Sequence, residues 1–292
     1  GPTVAGFLIA RCGCPKSQRA SEGAQPLLAG RAAFLGDAVK AGMDGGGCFP
    51  SGRHYPGIAH LLRIVVTGLA PGCDPTTRVV DLPMVCIDTE TTGREAEKDR
   101  IIEVGCAIAR QGQVTERVSW LVHPQQPIPQ ESTAVHGIRD EDVQGQPAFA
   151  EIAPQILAFL DGLVPVAYNA EFDRRFLLAE LRRARLLTGS LPAAMQEEVE
   201  WLDPLIWARE LQKYEKGKSL GEVCARLGVE LDRAHRAADD AAAALAVLLQ
   251  LCKDPRVPQQ YSAFVMEQRR LGREYEQTRR LWRTRSTPAG SG

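Results

Sequence analysis

The ten residues M-V-C-I-D-T-E-T-T-G at 84–93 decide how the rest of the chain is read. Met84 to Ile87 predict a buried strand, because a short apolar run ended by polar and turn residues suits the middle of a sheet. Asp88 falls at the end of that strand and Glu90 two residues later. Side chains alternate along a strand, so both carboxylates point the same way. Two like charges side by side are costly unless a cation lies between them. The stretch therefore predicts a divalent-metal site at the lip of a sheet, against the plainer alternative of a strand end whose acids are merely solvated.

The chain of 292 residues has room for one large domain or two small ones. Its hydrophobic content of 44% and charged content of 24% are those of a soluble globular protein. Eight cysteines, at 12, 14, 48, 73, 86, 106, 224 and 252, show no framework spacing. Cys86 and Cys106 sit inside apolar runs, where a free thiol behaves as a small hydrophobe. That predicts a reducing, cytoplasmic setting and argues against a secreted disulfide scaffold. No stretch approaches the roughly 18 apolar residues of a membrane span, and no clear signal peptide is read.

The net charge of −1 hides an asymmetry. Residues 1–80 hold 8 basic and 4 acidic residues, 81–252 hold 18 and 28, and 253–292 hold 9 and 4. An acidic centre is a poor nucleic-acid surface by itself. It becomes reasonable if several of the acids bind metal and the flanks supply the positive field.

Residues 1–80 differ from the rest, with Gly and Pro at 21 of the 80 positions. G-M-D-G-G-G-C-F-P at 42–50 cannot continue a helix or strand, and the one ordered-looking piece is the apolar run 58–69. Cys12, Cys14, Cys48, His54 and His60 lack the paired spacing of a zinc site. The segment is expected to be a poorly ordered extension, or upstream sequence outside the working protein, and Met84 stands where that protein could begin.

From 84 onward the pattern sharpens. Ile101–Arg110 and Gln113–Val122 predict two strands joined by a tight turn at Gln111-Gly112. Apolar residues at helical spacing over 147–162 predict a helix on the sheet. Leu163–Tyr168 predicts a second buried strand, Asn169 an N-cap, and Glu171–Leu187 a long amphipathic helix. Trp201-Leu202-Asp203-Pro204 predicts the end of another strand, with a helix over 205–214. Ser219-x-x-Glu222 is a capping box for a helix that Gly228 closes. G-K-S at 217–219 is no phosphate-binding loop, since Gln212 stands where the first glycine is needed. An alanine-rich helix is expected over 235–251, and after Pro258 a peripheral helix or arm.

Three residues join the opening pair of acids. Asp173 lies one turn into the helix that follows a strand, where the dipole favours a carboxylate able to point across the sheet's end. Asp240 lies on the alanine-rich helix and His235 five residues before it. At 100° per residue the two are staggered by roughly 140°, so His235 fits best at the helix start, reaching over the site while Asp240 faces into it. The alanines at 237, 238 and 241–244 let that helix approach the sheet. Each residue alone is ordinary as a cap, a dipole partner or a solvated face; their order after strand ends is what points to a site.

D-T-E-T-T-G at 88–93, Y-N-A-E-F-D at 168–173 and H-R-A-A-D-D at 235–240 together resemble the three motifs of the DEDDh (DnaQ-like) 3′→5′ exonucleases, most closely the epsilon proofreading subunits of bacterial DNA polymerase III. The resemblance covers about residues 84–252, leaving 253–292 as a basic helical tail. It implies the ribonuclease H-like α/β fold, with a mixed five-stranded sheet flanked by helices. It makes Asp88, Glu90, Asp173 and Asp240 metal ligands and His235 the general base. V-H-G-I-R-D-E-D at 135–142 also resembles a family segment, which implies that His136 and Glu131 contact the substrate nucleotide, together with Asp88, Glu90 and Asp240.

The chemistry suits these residue types. Two divalent ions roughly 4 Å apart can activate a water and stabilise the leaving 3′-oxygen of a phosphodiester, and carboxylates suit Mg²⁺ or Mn²⁺. Asp88 is the best candidate to bridge both ions. Histidine, titrating near pH 6.5, can take the proton from the water. Phe172 is expected either to wall the nucleotide or to join the core. The expected partner is a single-stranded DNA 3′ end, with RNA trimming as the alternative, and a DNA polymerase or repair complex beyond it. A third reading is a binding module tethered through 253–292.

Overall fold

The computed structural model describes residues 68–189, 191–231 and 235–286, with side chains as far as Leu281. Residues 1–67 of the Gly/Pro-rich extension expected over 1–80, with Cys12, Cys14, Cys48, His54 and His60, lie outside the described residues. Its last part, 68–80, is packed and not loose, with Ala70 and Val79 buried in the core and Arg78 bridged to Gln260.

Strand β1 (Met84–Thr91) is the centre of the molecule. It pairs antiparallel with β2 (Ile101–Arg110), which pairs antiparallel with β3 (Gln113–Leu121). Gln111 and Gly112 both have positive φ, 50° and 74°, the backbone of a primed two-residue hairpin turn. On its other side β1 runs parallel to β4 (Val164–Val166), giving the order β3-β2-β1-β4. The sheet is mixed and flanked by helices, as expected, but it has four strands where five were predicted.

The fifth is reduced to a single bridge between Val166 and Leu202. Leu202 donates its N–H to the Pro165 carbonyl, and Ala167 donates to Leu202. The ladder stops there because Asp203 turns its carboxylate back to cap the next helix, and Pro204 follows at its first position. The outer edge of this short segment is closed by an unusual partner. Gln268 donates its amide to the Trp201 carbonyl (2.8 Å) and accepts from the Asp203 N–H (2.8 Å). One side chain thus replaces a neighbouring strand, leaving no raw edge there.

Helices cover both faces. In β1, Val85 and Ile87 pack with α3 (Phe149–Leu160) and α4 (Ala170–Arg183) through Phe149, Ile152, Ile156 and Phe176. Met84 and Cys86 face the other way, onto α7 (Ala237–Leu251), whose Ala241 to Leu245 are buried. Between these elements in the chain come the short helices α1 (Gln130–His136), α2 (Asp140–Val143), α5 (Pro204–Leu211) and α6 (Leu220–Leu227). Helix α6 opens with the expected Ser219–Glu222 capping box and closes at Gly228, φ 64°.

The last helix, α8 (Tyr261–Ser286), was expected to be peripheral. Its first half is core instead. Tyr261, Phe264 and Gln268 are fully buried, Phe264 stacks on Trp207 at 4.7 Å, and the Tyr261 hydroxyl accepts from the Ala70 N–H. The aromatics expected to lie scattered along an arm fall on one face here. No described helix is long and apolar enough to cross a membrane.

Candidate active site

Period-two geometry carries Asp88 and Glu90 onto the face of β1 that Met84 and Cys86 share, the face covered by α7. Opposite them across the β1–β2 ladder stand Gly105 and Glu103. The missing side chain at Gly105 matters: an added Cβ would run into the backbone of Ala237 and Ala238. Glycine here lets the first turn of α7 rest directly on the sheet and delivers Asp240 to the strand end.

Asp173 arrives from the opposite face. Thr89 points away from Asp88, and both its N–H (2.9 Å) and its hydroxyl (2.8 Å) donate to Asp173 Oδ1. That pair of bonds fixes the carboxylate at the end of β1. The turn carrying Asp173 is fixed in its own right. Asn169 occupies the N-cap position of α4 as expected, but in a left-handed conformation (φ 72°) and without a capping side-chain bond. The cap is Asp203, which accepts from the N–H groups of Asn169 (3.0 Å) and Ala170 (3.1 Å) and from Leu205 (2.9 Å). One buried carboxylate therefore caps two helices.

His235 precedes α7, exposed and with φ 67°. Its N–H donates to Asp240 Oδ2 at 3.1 Å, which curls the backbone over the helix start. One ligand atom each from Glu90, His235 and Asp240 lie within 4.8 Å of one another. The structure thus brings the four acids and the histidine to one place from β1, α4 and the start of α7.

The electrostatics are those of a site short of positive charge. Burial, then Asp173, Glu90, Asp240 and Glu103, push Asp88 well above the usual carboxylate range. Burial and the carboxylates of Asp240, Glu103 and Asp173 raise Glu90 to about 7. Burial raises Asp173 to about 7 against the opposing Thr89 bonds, and Asp240 is raised as well, chiefly by burial. Crowded carboxylates of this kind fit a divalent cation, which relieves the repulsion that burial magnifies.

Beside the acids opens a cleft of about 570 Å³ lined by Thr89 to Arg94, Glu131, Val135, His136 and Phe172, within the usual range for a small-molecule site. Helix α1 is pinned to the end of β1 because Ser132 donates its hydroxyl to the Thr92 carbonyl (2.8 Å). His136 is buried, and its Nδ1 accepts from the Ile138 N–H (3.0 Å). Its Nε2 finds no well-formed hydrogen bond among the described residues, and burial lowers its affinity for a proton against the opposing pull of Glu103 and the Thr91 backbone. A neutral ring with an orphaned donor at a cleft wall is arranged for a ligand atom. Phe172 meets both expectations, packing on Phe176 (4.8 Å) while lining the cleft. Glu131 is exposed on the same helix.

Sequence reasoning missed Glu103, which is wholly buried between β1, β3 and α7. The signal was there: it is the one carboxylate in the run I-I-E-V-G-C-A-I-A at 101–109, and a buried acid requires partners. Its partners, Ser119 and Arg236, are distant in sequence.

An exonuclease family model (RNase_T) matches residues 85–248. The chain is 33% identical over 154 residues to the DNA polymerase III subunit epsilon of Treponema pallidum, a match covering 53% of this chain and 69% of that protein. It is 33% identical over 169 residues to the PolC-type DNA polymerase III of Thermotoga maritima, covering 58% of this chain but only 12% of that much longer protein. Among solved structures, the nuclease domain of 3′hExo, a DEDDh family member bound to rAMP, superposes with a TM-score of 0.51 at 15% identity. That match spans 63% of this chain and 100% of that one, and the likeness is one of fold.

Proposed function

The chain belongs to the exonuclease family, and from that premise we propose that it hydrolyses phosphodiester bonds at DNA 3′ ends, releasing 5′-mononucleotides in proofreading or repair. The observation that carries this reading is the grouping of Glu90, His235 and Asp240 within ligand distance of one another, with Asp88 and Asp173 close enough to feel the same charges, beside a nucleotide-sized cleft.

In this reading Asp88, Glu90, Asp173 and Asp240 hold two divalent cations, and their all-oxygen donor set suits Mg²⁺ or Mn²⁺. When bound, such ions lower the cost of generating hydroxide and of charge on the leaving oxygen. Asp88, which feels the charges of Asp173, Glu90 and Asp240 together, would be the acid shared between the ions. Glu90 and Asp173, raised to about 7 by burial, would hold the ions as carboxylates. His235 takes the proton of the attacking water, held over the site by its N–H bond to Asp240. Glu131 and His136 hold the terminal nucleotide, with the free His136 Nε2–H donating to it and Phe172 forming a wall.

The catalytic domain in this reading is 84–252, with the basic helix α8 seated on the same core. The setting is the cytoplasm, where its thiols stay reduced. A DNA polymerase or repair complex is the proposed partner, supported by the relatives that are polymerase subunits. Trimming of RNA or short oligoribonucleotides is the second reading, supported by the shared fold with a nuclease domain bound to rAMP. Digestion of matched DNA and RNA oligomers in Mg²⁺ tests the choice. Faster release from DNA supports the first reading, faster release from RNA supports the second, and release from neither overturns both.

A further inference from the structure

The start of α7 is held down by one buried carboxylate. Glu103 accepts from the Arg236 guanidinium at 3.1 Å, from the Ala237 N–H at 3.5 Å, and from the Ser119 hydroxyl on β3. It has no exposed surface, while the Arg236 side chain is 45% exposed. Arg236 and Ala237 directly follow His235, and Asp239 and Asp240 donate their N–H groups to the Arg236 carbonyl. The backbone at His235 is in the left-handed region, which costs energy for a residue with a Cβ and persists only where its surroundings impose it.

We infer that Glu103 is a positioning residue for His235, acting through Arg236 and the Ala237 amide to fix the histidine over the carboxylate cluster. Two observations exclude a simple filling role. An acid buried without surface would be costly in an otherwise apolar strand unless its charge were used. Its acceptor capacity is turned toward α7 and β3, all three donors being on those elements. Gly105, two residues along the same strand, removes the side chain that would hold α7 away. β2 thus offers both the clearance and the anchor for the turn that carries His235.

The inference rests on the role of His235 proposed above, and the test separates the two. Glu103→Gln keeps the shape and the acceptor oxygen but loses the charge, and Arg236→Gln removes the cation from a half-exposed position. Each is expected to lower kcat at saturating Mn²⁺ by about 10–100-fold, as for a reacting group misplaced by an ångström or less. KM should stay within about threefold, and reading kcat at saturating Mn²⁺ keeps out any weaker metal binding that follows from losing the Glu103 charge beside Asp88 and Glu90. The double variant should lose no more than the worse single one, because both act through one contact. Amide exchange at 236–238 should quicken in both variants, a readout independent of turnover.

A folded Glu103→Gln protein with native kcat, additive losses in the double variant, or a loss that saturating Mn²⁺ restores would each overturn the inference. If Glu103→Gln melts too low to assay, the exposed Arg236→Gln variant carries the same tests alone. Native turnover in His235→Ala would instead remove the function proposed for the histidine, leaving the exchange data to report on the anchor.

Discussion

Gly105 lies directly opposite Asp88 in the β1–β2 ladder, and the position its Cβ would occupy is filled by the backbone of Ala237. The separation between sheet and helix is therefore set by a missing side chain, at the level of the acid that stands at the centre of the cluster. Gly105→Ala forces α7 outward and moves Asp240 and His235 with it. We expect a stability loss of about 2 kcal/mol from overpacking and a fall in turnover of about 100-fold or more. Thermal melting and single-strand digestion check both; near-native turnover in a folded variant would contradict this account of how α7 is seated.

The metal-free protein should lose stability as pH rises. Asp173 ordinarily titrates at 3.8, and in the folded chain it is raised to about 7. Between these values the folded state keeps a proton that the unfolded chain has released, so stability falls through this window and is highest below it. Asp173→Asn keeps an acceptor for Thr89 and removes the charge. Without metal, it should melt about 3–5 °C above the parent at pH 8 and show no gain near pH 4. Adding Mn²⁺ should stabilise the parent and do little for the variant. Parallel melting curves across pH would show that no carboxylate repulsion is stored at the site.

Gln268 stands in for a strand. Gln268→Leu leaves the Asp203 N–H and the Trp201 carbonyl buried without partners, and it loosens the residue that caps α4 and α5. Two buried orphaned groups cost about 3 kcal/mol together, or roughly 10 °C in melting temperature. Calorimetry measures this directly. A change under about 1 kcal/mol would mean that water replaces the amide.

What could be read from the sequence was local. The strand at 84–91 and the hairpin at 111–112 follow from short-range periodicity and turn chemistry, as does the box at Ser219 and Glu222. The acids that the structure gathers were also legible, because Asp88 and Glu90 alternate along one strand and Asp173 and Asp240 lie in the first turn of a helix. What escaped was made by partners far apart in the chain. Asn169 looked like a cap, yet the capping oxygens come from Asp203, 33 residues beyond Ala170. Trp201 to Asp203 looked like a strand and lacks a second ladder because a glutamine side chain from α8 closes its edge. Tyr261 and Phe264 looked like an arm because the core that receives them is built from residues up to two hundred positions earlier, such as Ala70. Glu103 was one residue of the strand predicted over 101–110, and only the fold shows that Arg236 meets it.

The central claim is that the carboxylate cluster serves hydrolysis from a 3′ end. Its most direct test compares single-stranded DNA labelled at the 3′ end with the same strand labelled at the 5′ end, digested in Mg²⁺ by the parent chain and by Asp88→Ala. The account predicts immediate release of labelled mononucleotide from the 3′-labelled strand and stepwise shortening of the 5′-labelled one. No cleavage is expected by Asp88→Ala or after chelation. His235→Ala should retain direction with turnover lowered several hundredfold, within the range of about 10²–10⁴ for a general base. Release of the 5′ label first, or parent-like activity in Asp88→Ala, would contradict it.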